Sequence, residues 1–126
     1  MIKALIIDDE FHARENLHMM LAEYCPEIEV LGSAGNVTEG RQKITDLQPD
    51  LVFVDIRMPS GTEGIELIES FENRLFDVVL VTAFRHYAES ALEKFGLEPA
   101  QLVLKPIDTE ELLNAVAAVR RRIAGS

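Results

Sequence analysis

The sequence has a single cysteine, no long apolar run and few basic residues, and each shortage excludes a class of protein. One cysteine, Cys25, cannot form a disulfide framework or a thiolate metal site, and we expect it to be a small, partly buried hydrophobic residue. No apolar stretch approaches the roughly 18 residues that a membrane helix needs, and the short, acidic N-terminal stretch is not typical of a signal peptide. The expectation is a cytoplasmic protein that does not contact membranes.

Basic residues are outnumbered, with 12 Lys and Arg against 22 Asp and Glu, for a net charge of −10. Such a chain repels phosphate backbones, so we expect no direct nucleic-acid binding by this chain. Its basic run, Arg120 to Arg122, falls in what reads as the last turn of a helix, where cations complement the helix dipole, and a solvated helix end is expected. The three histidines lack the i, i+4 spacing of helical zinc ligands.

Short apolar runs alternate with amphipathic stretches along all 126 residues. The runs are ALII at 4–7, IEVLGSA at 28–34, LVFVD at 51–55, VVLVT at 78–82 and LVL at 102–104. Strict alternation of this kind predicts an α/β fold with right-handed crossovers. We expect a flavodoxin-like, doubly wound, five-stranded parallel sheet of order 2-1-3-4-5 with helices on both faces, forming one domain over residues 1–126.

Polar and charged residues follow four of these predicted strands. They are Asp8, Asp9 and Glu10 after the first strand, Asp55 after the third, Thr82 at the end of the fourth and Lys105 after the fifth. Each alone has an ordinary explanation, such as a helix cap or a turn. Together they meet at one edge of the sheet, where converging carboxylates repel one another unless a cation is present. Oxygen ligands of this type predict a hard divalent ion such as Mg²⁺.

An aspartate at a strand end beside Mg²⁺ is a candidate nucleophile for phosphoryl transfer, because Asp carboxylates can form aspartyl phosphates. Asp55 is that candidate. The metal and the Lys105 ammonium would offset charge on the transferring group, and Thr82 could donate its hydroxyl to a phosphoryl oxygen.

Four motifs in this order, IIDDE, PDLVFVDIRMP, VTA and LKP, resemble the receiver domain of two-component response regulators. The resemblance covers nearly the whole chain. It implies a phosphorylation-dependent signalling switch rather than an enzyme, with a sensor histidine kinase or a histidine phosphotransfer protein as phosphodonor. A homodimer formed on phosphorylation is an accompanying expectation. DDEFHARENLHMMLAEY and TAFRHYAESALE look most similar to receivers that precede LytTR-type DNA-binding domains.

The resemblance also assigns roles to individual residues. It implies Asp55 as the phosphoacceptor and a cis peptide bond before Pro106. It further implies Asp8 and Asp9 as the acid pair of the metal site, the backbone carbonyl of Arg57 as a further metal contact, and Thr82 and Lys105 as the residues that sense the phosphoryl group.

Three departures from the family pattern affect the output side. Leu102 occupies the position of a switching aromatic residue, PSGTEG at 59–64 is one residue longer than usual, and KFGLEPAQLVLKP is longer than its usual counterpart. We therefore expect phosphorylation to move residues 82–101, with the loop around Thr82 and the Phe95–Gln101 connection as the switching elements, while Leu102 keeps one rotamer.

Two other functions remain as alternatives. A Mg²⁺-dependent phosphohydrolase of the haloacid-dehalogenase type needs an Asp-x-Asp pattern after the first strand, where this chain has Asp8-Asp9-Glu10. A flavodoxin-like cofactor module needs a Gly/Ser/Thr-rich phosphate loop at the same place.

Overall fold

A computed structural model describes residues 1–56 and 63–125. Its strands form one parallel sheet in the order β2-β1-β3-β4-β5, which confirms the predicted fold class and strand order. The elements are β1 (Ile2–Ile7), α1 (Phe11–Tyr24), β2 (Ile28–Ala34), α2 (Val37–Leu47), β3 (Leu51–Val54), α3 (Glu63–Glu69), β4 (Asp77–Thr82), α4 (Arg85–Lys94), a 3₁₀ turn (Pro99–Gln101), β5 (Leu102–Leu104) and α5 (Thr109–Ala124).

The unbroken apolar run of β3 reflects burial on both faces of the sheet. Leu51 and Phe53 pack with residues of α1 and α5, whereas Val52 and Val54 pack with residues of α2, α3 and α4. All four are at most 1% exposed. Because successive strand residues point to opposite faces, a central strand covered by helices on both sides needs an apolar residue at every position.

Two helices, α2 and α5, begin with a side-chain cap. The Asn36 side chain accepts a hydrogen bond from Glu39 N at 2.8 Å, and the Asp108 side chain accepts one from Glu111 N at 3.1 Å. The Glu111 carboxylate itself accepts from Leu104 N at 3.3 Å. The first turn of α5 is thus hydrogen-bonded to the end of β5, the strand directly before Lys105.

The basic run at the end of α5 is paired rather than merely solvated. Each arginine contacts a different carboxylate: Arg120 with Glu27 at 3.2 Å, Arg121 with Glu98 at 3.5 Å and Arg122 with Asp77 at 2.9 Å. The run therefore connects the last helix to three other parts of the molecule.

Cys25 is fully buried, and this burial raises the pKa of its thiol and disfavours the reactive thiolate. The surroundings are those of a small hydrophobic residue. Within residues 1–56 and 63–125, no helix is long and apolar enough to cross a membrane.

Candidate functional site

The ends of β1 and β3 place two carboxylates side by side. Ile7 pairs with Val54, and the ladder continues one residue further through a hydrogen bond from Asp55 N to the Ile7 carbonyl at 3.0 Å. Asp8 and Asp55 consequently lie next to each other at the carboxyl edge of the sheet. They are only 5% and 6% exposed, so their charges need nearby compensation.

Asp8 is fixed through all of its polar atoms. Its Oδ1 accepts from Glu10 N at 2.9 Å, its Oδ2 from Lys105 Nζ at 2.6 Å and its main-chain oxygen from Arg14 Nη1 at 2.7 Å. Its own N–H donates to the Ala34 carbonyl at 3.0 Å. The carboxylate therefore has a defined position before any ligand arrives.

Lys105 supplies the positive charge between the two buried carboxylates. Its main-chain N–H donates to the Thr82 carbonyl at 2.9 Å, and the following peptide bond to Pro106 is cis, as the resemblance implies. Its Nζ donates to Asp8 at 2.6 Å and to Asp55 at 2.9 Å. Burial acts to lower the pKa of Lys105, but the hydrogen bonds to Asp8 and then to Asp55 outweigh it and raise the pKa. The ammonium is therefore charged at neutral pH.

Asp9 completes a group of three carboxylates with Asp8 and Asp55, whose candidate ligand oxygens all lie within 4.8 Å of one another. Burial, followed by repulsion from Asp8, raises the pKa of Asp9. One ammonium does not neutralise three carboxylates. A divalent cation with oxygen ligands fits this donor set in both charge and chemistry.

Thr82 ends β4 beside this group and is fully buried. Its hydroxyl oxygen accepts a weak hydrogen bond from Phe84 N at 3.3 Å. Because the oxygen is the acceptor there, the hydroxyl hydrogen can be donated elsewhere.

The start of α3 packs closely against the backbone of Asp55, the candidate phosphoacceptor. A Cβ atom added at Gly64 would overlap the Asp55 carbonyl oxygen and lie 2.6 Å from Ile56 Cα. Only glycine allows the helix to approach so closely, so Gly64 helps to determine where Asp55 lies.

The sequence prediction anticipated most of this group but not its supports. Asp8, Asp9, Asp55 and Lys105 come together, and Thr82 ends the neighbouring strand. Arg57 and most of the PSGTEG segment lie outside the described residues. Two supports were missed: Gly64, whose signal is an isolated glycine in a helical pattern, and Arg14, which reads as an ordinary helix arginine.

Comparisons with known proteins agree with this geometry. Residues 4–117 match the response regulator receiver domain family. An "Uncharacterized response regulatory protein" of Vibrio cholerae is 45% identical over 97% of this chain and 50% of its own length. The "Transcriptional regulatory protein BtsR" of Escherichia coli is 41% identical over 96% of this chain and 49% of its own. The solved structure of the REC domain of AraT, a response regulator from Geobacillus stearothermophilus, has the same fold, with a TM-score of 0.81 at 24% identity, covering 98% of this chain and 96% of that one.

The fold and the comparisons define a regulatory phosphoacceptor domain of two-component signalling. This chain belongs to the response regulator receiver family, which confirms the resemblance seen in the sequence; the likeness to LytTR-associated receivers stays a prediction. It is a signalling switch and not a member of a catalytic enzyme family. The phosphohydrolase and flavodoxin alternatives are not favoured. The chain spans about half the length of the curated relatives it matches.

Proposed function

We propose that Asp55 is the residue that accepts the phosphoryl group. The observation that supports this most directly is its position: it follows the central strand, lies 2.9 Å from the Lys105 ammonium and has its oxygen within ligand range of Asp8 and Asp9. In the transfer, an Asp55 oxygen forms a new O–P bond while the P–N bond to the donor's histidine breaks. The electron pair of that P–N bond stays with the departing imidazole.

The proposed metal site uses Asp8, Asp9, Asp55 and the backbone carbonyl of Arg57. The three carboxylates fit a hard cation because their oxygens converge and carry more negative charge than Lys105 balances. When bound, Mg²⁺ would offset the negative charge of the incoming phosphoryl group. The chain itself holds the acids in place. For Asp8, the hydrogen bonds from Glu10 N and Lys105 Nζ to the carboxylate fix its position.

Lys105 and Thr82 are proposed to read the phosphoryl group. Phosphorylation of Asp55 adds a phosphoryl group to one carboxylate oxygen, and the phosphoryl oxygens are more negative acceptors, so the Lys105 ammonium would move its hydrogen bond to one of them. The Thr82 hydroxyl would donate to another, and its contact with Phe84 N would carry the change to the start of α4.

The remaining parts of the proposal concern boundaries and partners. We assign residues 1–126 to a single receiver domain, with a sensor histidine kinase or a histidine phosphotransfer protein as donor. With a net charge of −10, this chain is not expected to touch nucleic acid itself. A cytoplasmic location fits the transcriptional role named for a relative. Dimerisation on phosphorylation completes the proposal.

Intact-mass measurement after incubation with Mg²⁺ and acetyl phosphate tests the central assignment. The wild-type protein should gain one phosphoryl group, Asp55→Asn should gain none, and EDTA should suppress the reaction. Asp46→Asn, which changes an exposed carboxylate on α2, is the matched control and should label as the wild type does. Equal labelling of Asp55→Asn and wild type would overturn the assignment.

A further inference from the structure

We infer that Arg14 is a positioning residue for the acidic site, acting through the main chain that joins Asp8 to Asp9. Arg14 lies one turn into α1 and is half-buried, with its guanidinium 5.7 Å from the centre of the Phe11 ring. Its Nη1 donates to the Asp8 carbonyl at 2.7 Å. The inference rests on the proposed metal site, because it assigns Arg14 the task of holding that site in shape.

The contact falls on the peptide unit between the two acids. A peptide group is planar, so the atom that fixes the Asp8 carbonyl also fixes the direction of Asp9 N and Cα. A charge-assisted hydrogen bond of this length is among the stronger ones in proteins. Arg14 therefore limits rotation of the unit that sets the angle between the two carboxylates, although it touches neither carboxylate.

Gly35 provides the space in which the guanidinium lies. A Cβ atom at residue 35 would be 3.0 Å from Arg14 Nη1 and 3.6 Å from Cζ. These are side-chain atoms, so an alanine there would push the guanidinium away and leave the backbone at residue 35 unstrained. Gly35→Ala thus disturbs the contact from a second site without removing the arginine.

The guanidinium of Arg14 is bound to a main-chain oxygen and to no carboxylate of the described residues. In the part of the chain that the structure describes, no carboxylate forms an ion pair with it. A cation committed to a main-chain oxygen fits a role in orientation, whereas a cation that served surface packing alone would not need a 2.7 Å hydrogen bond to the acidic loop.

Mg²⁺ titration by calorimetry, together with amide NMR of the metal-free protein, tests the inference. Arg14→Met, which keeps the stem and removes the donors, should weaken Mg²⁺ binding about 10-fold, as loss of an outer contact to a metal ligand typically does. The Asp9 and Glu10 amides should shift before any metal is added. Arg14→Lys, which keeps one donor, should recover part of the affinity. Arg41→Met, on the exposed side of α2, is the control and should bind as the wild type does.

Gly35→Ala keeps the inference testable if Arg14→Met fails to fold. It should weaken Mg²⁺ binding in the wild-type background, and where Arg14→Met folds it should have a smaller effect in that background, because the two changes act on one contact. Unchanged affinity and unchanged Asp9 amide shifts in folded Arg14→Met, or in Gly35→Ala, would overturn the role of Arg14. If the wild type itself binds no Mg²⁺, the proposed metal site is at fault instead.

Discussion

The two edges of the sheet handle buried charge in opposite ways. At the carboxyl edge, within residues 1–56 and 63–125, the Lys105 ammonium lies between two buried carboxylates, Asp8 and Asp55, and the exposed carboxylate of Asp9 lies beside them. At the amino edge, one carboxylate, that of Asp77, receives Gln101 Nε2 and Arg122 Nε, each at 2.9 Å. Among the described residues, the same parallel strands thus end in a group of three carboxylates around one ammonium on one side and in a single carboxylate with two donors on the other.

The amino-edge cluster, which we define as Asp77, Gln101, Arg122 and the Gly96 carbonyl, has the character of a structural anchor. Gln101 is fully buried, and its side chain also bonds the Val78 carbonyl at 2.9 Å and Glu98 N at 2.8 Å. A satisfied polar network of this kind rigidifies its surroundings. Excess charge at the carboxyl edge instead leaves a site that a cation and a phosphoryl group can change. The structural anchor and the site that changes on phosphorylation therefore lie at opposite ends of the same strands.

Gly64→Ala should give the largest effect, because it disturbs the carboxyl edge through its backbone. The added Cβ would overlap the Asp55 carbonyl, so either α3 or the end of β3 must move. We expect a loss of about 3 kcal/mol or more in the free energy of unfolding, measured by urea denaturation, and strongly reduced labelling by acetyl phosphate.

Gly32→Ala is the matched control for Gly64→Ala. A Cβ at residue 32 would meet its nearest neighbours at 3.9 and 4.0 Å, which are ordinary contacts. It should change stability and labelling little. Stability of Gly64→Ala within about 0.5 kcal/mol of the wild type would contradict the close approach of α3 to Asp55.

Gln101→Met tests whether the two edges act independently. It should lower the free energy of unfolding without affecting phosphorylation at the carboxyl edge. The substitution keeps a similar volume but leaves Asp77, the Val78 carbonyl and Glu98 N each short of a partner. Buried groups left without partners cost about 1–3 kcal/mol each, and partial hydration should hold the total to about 2–3 kcal/mol. Gln42→Met, which removes an exposed hydrogen bond to Asp46, should cost at most about 0.5 kcal/mol. Impaired labelling in folded Gln101→Met would mean that the edges are not independent.

The sequence predicted the carboxyl edge far better than the amino edge, for a physical reason. Apolar runs show where strands end, and Asp8, Asp55 and Lys105 directly follow those ends, so strand order alone brings them together. The pairing of Arg122 with Asp77 spans 45 residues and depends on how α5 crosses the sheet. The contact of Gly64 likewise depends on the path of the chain between β3 and α3, which no periodicity reports.

Lys105→Ala should weaken the carboxyl edge and remove its response. Without the ammonium, Asp8 and Asp55 repel each other, and we expect a loss of about 1–2 kcal/mol in EDTA, moderated by the partial exposure of the site. The variant should still accept phosphate, although slowly, and should lose the amide shifts that beryllofluoride causes in the wild type. Lys94→Ala, which breaks the exposed pair with Glu69, should keep them. Wild-type shifts in Lys105→Ala would show that another residue senses the phosphoryl group.

Asp9→Asn should make a small change of opposite sign, stabilising the metal-free protein. Burial and Asp8 raise the pKa of Asp9, so its ionised form opposes folding at neutral pH and this penalty disappears as the pH falls through the folded-state pKa. Because Asp9 is exposed, the gain in EDTA should be only a few tenths of a kcal/mol, shrinking in acid. Mg²⁺ should stabilise the wild type more than the variant. Glu10→Gln, outside the carboxylate group, is the control; an equal gain there would show that net charge alone is responsible.

The smallest effects should be chemical-shift changes. They compare the start of α4, which lies near the carboxyl edge, with the connection that follows its end, which lies near the amino edge. The sequence leaves both the loop after Thr82 and the Phe95–Gln101 connection as switching elements. Arg122 and Gln101 anchor that connection at the amino edge, whereas the start of α4 contacts Thr82, the residue next to the acidic site, through a weak 3.3 Å hydrogen bond. Beryllofluoride should therefore shift amides of residues 82–88 strongly and those of 95–101 weakly, with the Leu102 methyls unchanged. In Asp55→Asn, beryllofluoride should shift the amides of neither 82–88 nor 95–101. Strong shifts at 95–101 with a silent start of α4 would mean that the anchored end is the one that moves.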